Sequence, residues 1–277
     1  MTRFLHNRRQ WLRNVAGPVA SFAAAGTTPL AWPKFCQSAE VRPWPYVHAQ
    51  PPFRFHADFD LRPYSGLLEE LSSLQREMQT QLHIAPARET IDVYVFRLES
   101  TYRHYLRTYF PELSMRRAMF VKTTGPGNVF AHFSNQFGTD LRHECTHALL
   151  HATLPMVPLW LDEGLAEYYE VPASQRAFDN PHLASLRRQP LWDRPSAMEK
   201  LEQVRQFEAM GGDQYRDAWS WVHFMLHGNE AALWELRSFL GEIQNRVPPE
   251  PLSQRLAARI PNLMDAYKSH LRHWRRS

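Results

Sequence analysis

The chain has 277 residues, 44% hydrophobic and 22% charged. That is too apolar for a disordered polypeptide and suits one compact domain or two tightly packed subdomains. The formal net charge is only +4, and part of it sits at the two ends, in Arg8, Arg9 and Arg13 and in Arg272, Arg275 and Arg276. With no central basic stripe interleaved with aromatics, no nucleic-acid partner is expected.

Taken in chain order, residues 1–40 differ from the rest. Asn7-Arg8-Arg9-Gln10-Trp11-Leu12-Arg13 resembles the twin-arginine export signal, and Ala23-Ala24-Ala25 offers a small-residue cleavage site. The stretch from Val15 to Trp32 contains Gly17, Pro18, Gly26 and Pro29. It is a poor membrane span, which needs about 20 solidly apolar residues. The expectation is an export leader over 1–40 and a periplasmic or extracellular protein, with membrane contact only if the leader is retained. The two cysteines, Cys36 and Cys145, are too few for a disulfide framework. Cys36 lies near the leader boundary, and Cys145 is expected to be reduced and to act as a small apolar residue.

Residues 41–60 are rich in Pro, His and aromatics without a clear period and read as an extended lead-in. Leu67, Leu68, Leu71, Leu74, Met78 and Leu82 have helical spacing, predicting a helix within Leu61–Leu82 that starts after Pro63. Ile91–Phe96 alternates and is β-branched, predicting a strand. A helix over Glu99–Tyr109 ends at Pro111. Strands over Ala118–Lys122 and Val129–Ser134 flank the turn Gly125-Pro126-Gly127 and predict a hairpin. From Thr139 onward no strand is expected. The predicted helices are Asp140–Ala152, Leu159–Glu170, Ala197–Ala209, Asp213–His227, Ala231–Asn245 and Pro261–Arg275. Residues 41–277 thus read as one α+β domain, with an α/β part over 41–138 and a helical part over 139–277.

His143-Glu144-Cys145-Thr146-His147 has the HExxH spacing of a zinc site. Residues four apart on a helix point within about 40° of each other, so both histidines can offer a ring nitrogen to one ion. Glu144 lies to the side, where a carboxylate can reach water at the metal without ligating it. Cys145 points roughly 200° away from each histidine and cannot join them. A catalytic zinc takes three protein ligands, and Glu163, 16 residues after His147, is the best third. Gly164 removes a side chain where two helices would press close. Glu167, one turn on, is a candidate acceptor for the spare N–H of a ligand histidine. A metzincin would instead place glycine and histidine where Leu150 and Thr153 stand. His151 lies about 12 Å along the axis from His143, too far to share the ion, and is read as structural or partly exposed.

HECTH followed by WLDEGLAEYYE resembles the HExxH and WxxEGxAxY arrangement of gluzincin peptidases. More closely, the chain resembles secreted bacterial proteins with a peptidase MA-like domain. The motifs cover residues 143–170, and the weaker likeness runs from about residue 60 to the C-terminus. The resemblance implies a zincin-like fold, Zn2+ as cofactor, His143, His147 and Glu163 as ligands, Glu144 as general base and a peptide or protein substrate. It also implies a Tyr or His downstream that steadies the oxyanion. Tyr215 is the candidate, with His223 in reserve. The strand Val129–Ser134 would flank the cleft and pair with an extended substrate. The chain lacks the exopeptidase motif of gluzincin aminopeptidases before the metal helix. The expected activity is peptide hydrolysis by metal-activated water. The competing readings are a non-catalytic exported metal-binding or cell-envelope interaction protein with the same fold, and a hydrolase of non-peptide amides or esters.

Overall fold

The computed structural model describes residues 44–111, 115–122, 127–188 and 196–275. The expected leader, Cys36, the Gly125-Pro126 part of the hairpin turn and Arg276 lie outside the described residues. The elements are β1 (Tyr46–Gln50), β2 (Phe53–Ala57), α1 (Ser65–Leu82), β3 (Ile91–Phe96), α2 (Glu99–Tyr109), β4 (Ala118–Val121) and β5 (Asn128–His132). Helices follow: α3 (Phe137–Thr153), α4 (Leu159–Tyr169), α5 (Ala173–Arg176), α6 (Pro181–Arg188), α7 (Met198–Glu202), α8 (Gly212–His227), α9 (Glu230–Gln244), α10 (Leu252–Arg259) and α11 (Leu263–His273). The class is α+β: a mixed sheet comes first, and among the described residues from Phe137 onward every regular element is helical.

The five-stranded sheet has the order β1-β2-β3-β5-β4. The central pairs β2–β3 and β3–β5 are parallel, and the outer pairs are antiparallel. Alternation along the strands sends side chains to opposite faces. Phe53, Phe55, Ile91, Val93, Val95 and Val129 join the main core with the apolar stripe of α1, which is Leu68, Leu71, Leu74, Met78 and Leu82. The other face buries Phe96, Met119 and Phe130 beneath Tyr102 and Leu106 of α2. The sheet is therefore covered on both sides.

Two expectations for the N-terminal part change. The lead-in over 41–60 contains β1 and β2. Phe53, Phe55 and Ala57 do alternate inward, but β1 is exposed along almost its whole length and exists through its ladder with β2. The strand Val129–Ser134, expected beside the cleft, ends at His132 and is internal. The edge strands are β1 and β4, and it is β4 that lies beside the cleft.

The helix expected over Ala197–Ala209 splits into α7 and a 3₁₀ turn at Phe207–Ala209. Six residues after the buried Leu201, a continuing helix would turn Phe207 roughly 120° away from it. The chain instead bends so that Phe207 packs against Leu159 and Met210. Helices α5, α6 and α10 were not expected. Helix α10 follows Pro251 and buries Leu252 and Leu256, one turn apart.

Helix α4 is inside the protein. Ten of its 11 residues are buried, the exception being Glu167. It lies against α3 and crosses α8 at Gly164, where a Cβ would sit 2.7 Å from the Ala218 carbonyl oxygen. Arg142 ties this layer to the rest. Its guanidinium donates to Glu70 of α1 at 3.0 and 3.1 Å and to the carbonyl of Glu170 at 3.1 Å.

Candidate metal centre

Helix α3 delivers His143 and His147 one turn apart, and α4 delivers Glu163 from the facing side. Glu163 Oε2 is 3.5 Å from His143 Nε2 and 3.6 Å from His147 Nε2. All three donor atoms lie within 4.8 Å of one another. Ligands held about 2.1 Å from a tetrahedral zinc stand roughly 3.4 Å apart, so the spacing suits a shared ion.

The hydrogen bonds on the far side of each ring set its tautomer. His147 Nδ1 is 2.8 Å from Asp162 Oδ1, and His143 Nδ1 is 3.0 Å from Glu170 Oε2. A carboxylate only accepts, so each Nδ1–H donates and each neutral ring turns its Nε2 lone pair toward Glu163. His147 Nε2 is buried without a hydrogen-bond partner. Lone pairs facing a carboxylate repel unless a cation or a proton lies between them. The pKa directions express the same demand. Burial lowers His143, but hydrogen bonding to Glu163 and Glu170 and the charge of Glu144 outweigh it, and its pKa stands well above the ordinary value. Burial also opposes the charged form of His147, yet Asp162 and Glu163 push its pKa up to about 9. These residues fit a divalent ion: two imidazoles and one carboxylate, with carboxylates behind the imidazoles.

Glu144 is buried beside the trio and does not join it. Its Oε2 accepts the backbone N–H of Phe120 at 2.6 Å. The ladder explains why that N–H is available. The His132 N–H donates to the Arg117 carbonyl, so Arg117, Met119 and Val121 face β5, while Ala118 and Phe120 turn their backbone groups outward. Edge strand β4 thus carries one anchor for Glu144 and further polar groups facing away from the sheet.

A cleft of about 450 Å³ lies over His143 and Glu144 and is also lined by Asp140, Glu167, Glu170 and Tyr215. The structure therefore places Tyr215, at the start of α8, in the same cleft as the motif. His223 lies elsewhere. It is fully buried, its Nδ1 2.9 Å from His270 Nε2 and its Nε2–H donating to the Ala177 carbonyl at 2.9 Å. Cys145 is buried in the main core with a free thiol that burial pushes up in pKa.

One expectation changes here. Glu167 does not hold a ligand histidine. Its Oε2 is 2.7 Å from His182 Nε2. Asp162 and Glu170 take that role, and sequence reasoning missed both. A signal was present: Asp162 directly precedes Glu163, and Glu170 follows it by seven residues, about two turns, on the same face. His151, expected to be structural or partly exposed, is buried with only 3% exposure. The chain matches no protein-family model and no curated protein sequence.

Proposed function

We propose that this chain is an exported zinc-dependent metallopeptidase of the gluzincin type, with a zincin-like fold, hydrolysing peptide bonds in peptide or protein substrates. The observation that carries the reading is the convergence of His143 Nε2, His147 Nε2 and Glu163 Oε2, with Glu144 alongside but outside the trio. A purely structural zinc site is closed by a fourth ligand and has no use for such a carboxylate.

Bound among the three atoms, a zinc ion supplies Lewis acidity that makes water nucleophilic at neutral pH and polarises a carbonyl. The side chains do the rest. Asp162 and Glu170 fix the ring tautomers of His147 and His143. Glu144 takes the proton of the attacking water and passes it to the leaving amine. The Tyr215 hydroxyl donates to the carbonyl oxygen as negative charge develops there. The outward N–H and C=O of Ala118 and the C=O of Phe120 pair with an extended peptide, which gives backbone affinity with little sequence selectivity.

The test is metal analysis of purified wild type and Glu163→Ala, with hydrolysis of a general protein substrate followed with and without chelator. The reading expects about one zinc per chain, lost in the variant, and turnover abolished by chelation. Zinc retained in full by Glu163→Ala removes the third ligand. Zinc bound without turnover of any peptide, ester or amide substrate establishes a non-catalytic metal protein instead.

A further inference from the structure

His151 stands one turn beyond His147 on α3 and is buried, and the chemistry above does not use it. Its Nε2 is 3.0 Å from Asp162 Oδ2, while Asp162 Oδ1 holds His147 Nδ1 at 2.8 Å. Each oxygen of the Asp162 carboxylate thus faces one imidazole nitrogen, and as acceptor from both it makes a continuous chain His151–Asp162–His147.

The same ring touches the strand that anchors Glu144. Phe120 stacks on His151 with centroids 5.8 Å apart and planes 15° from parallel. Lys122 Nζ donates to the His151 carbonyl. Phe120 N–H is the donor to Glu144. His151 therefore sits where the support of a metal ligand meets the support of the base.

We propose that His151 is a positioning residue of the metal centre: by donating to the second oxygen of Asp162 it fixes the carboxylate plane, and through it the ring of His147. A carboxylate held at one oxygen can still rotate about its Cβ–Cγ bond, and the imidazole it orients rotates with it. Held at both, it presents one direction. The inference rests on the metal reading above.

The experiment measures affinity for zinc and for cobalt by chelator competition, together with the visible spectrum of the cobalt-substituted protein, in the full chain. His151→Phe keeps an aromatic ring against Phe120 and removes the donor. Its affinity falls about tenfold, the low end of the range for changes behind a metal ligand, and the cobalt bands shift. His151→Gln retains an N–H donor and recovers most of the affinity and the wild-type bands. In an Asp162→Ala background, His151→Phe costs nothing further. A fold defect would show in the far-UV circular dichroism of the metal-free variant, and His151→Leu serves as a second donorless variant. Wild-type affinity and spectrum in His151→Phe overturn the proposal alone, as does an equal loss with and without Asp162. A wild-type chain that binds neither ion overturns the metal reading and this proposal with it.

Discussion

Replacing Gly164 by alanine would place a methyl 2.7 Å from the Ala218 carbonyl oxygen and 2.9 Å from both Ala218 C and Val222 Cγ2. Two of these atoms are backbone and the third belongs to a β-branched side chain, so nothing nearby can rotate away. Alanine in a helix interior gains about 1 kcal/mol over glycine, whereas overpacking a core contact costs about 1–3 kcal/mol and here requires α4 to move from α8. Three contacts under 3.0 Å put the overpacking at the upper end of that range, so the expected net result is a loss of about 2 kcal/mol, or roughly 4–8 °C in melting temperature for a domain of this size. Because Glu163 is the preceding residue, the displacement also reaches the metal trio, and zinc affinity falls. Differential scanning calorimetry of the metal-free protein and a chelator titration of the loaded protein separate the two effects. A variant as stable as wild type with unchanged affinity would show that α4 and α8 are not in the tight contact argued here.

Glu144→Gln retains about one zinc per chain and loses at least 10²-fold in kcat, since the amide can still accept the Phe120 N–H but cannot take a proton. Comparable turnover in that variant removes the general base. Tyr215→Phe lowers kcat by about 30- to 10³-fold, matching about 2–4 kcal/mol of oxyanion stabilisation, and leaves KM nearly unchanged. An unaffected kcat would return Tyr215 to packing against Phe207. Acid should weaken the α8–α11 interface. Burial lowers His223 to about 3 and His227 and His270 to about 4. The unfolded chain therefore takes up protons near pH 6.5 that the folded chain refuses. Stability is full above pH 6.5 and falls by about 1.4 kcal/mol per unit per site as pH drops toward 4. Urea denaturation of chelated protein should show His270→Gln losing up to about 2 kcal/mol less than wild type between pH 6.5 and 5. Parallel pH profiles would refute it.

What was legible in the sequence is what repeats at a fixed spacing. Helix α1 announces itself through Leu68, Leu71, Leu74, Met78 and Leu82, and β3 through Ile91, Val93 and Val95, because each buries one face. The two histidines of α3 are bound by the same rule, since four residues is close to one turn. Strand β1 carries no such mark. Its side chains are almost all exposed, and only the partner strand makes it a strand. That the edge beside the cleft is β4 and not β5 is hidden in the sequence because strand order is a property of the crossover: β5 inserts between β3 and β4. The anchor of Glu144 was out of reach altogether, being a backbone N–H whose direction depends on the phase of a ladder.

The carboxylates of α4 show where sequence and structure had to be combined. In sequence Glu163 reads as the metal ligand and Glu167, its neighbour one turn on, as the support of a histidine, while Asp162 and Glu170 carry no mark of their own. Burial separates them. Asp162 and Glu163 lie inside the protein at 4% and 1% exposure, where an unpaired negative charge costs several kcal/mol. Asp162 meets that cost with two imidazole donors. Glu163 Oε2 faces the Nε2 atoms of His143 and His147 at 3.5 and 3.6 Å, an arrangement that a shared cation or protonation of the rings makes favourable. The partly buried pair divides differently: Glu170 reaches His143, and Glu167 turns to His182. The position most costly to occupy with a carboxylate is therefore the one that the motif assigns to the metal. A hydrophobic residue at 163 would pack α4 against α3 at no such cost, and this is the physical argument for the proposed ligand role, which the zinc content of Glu163→Ala tests.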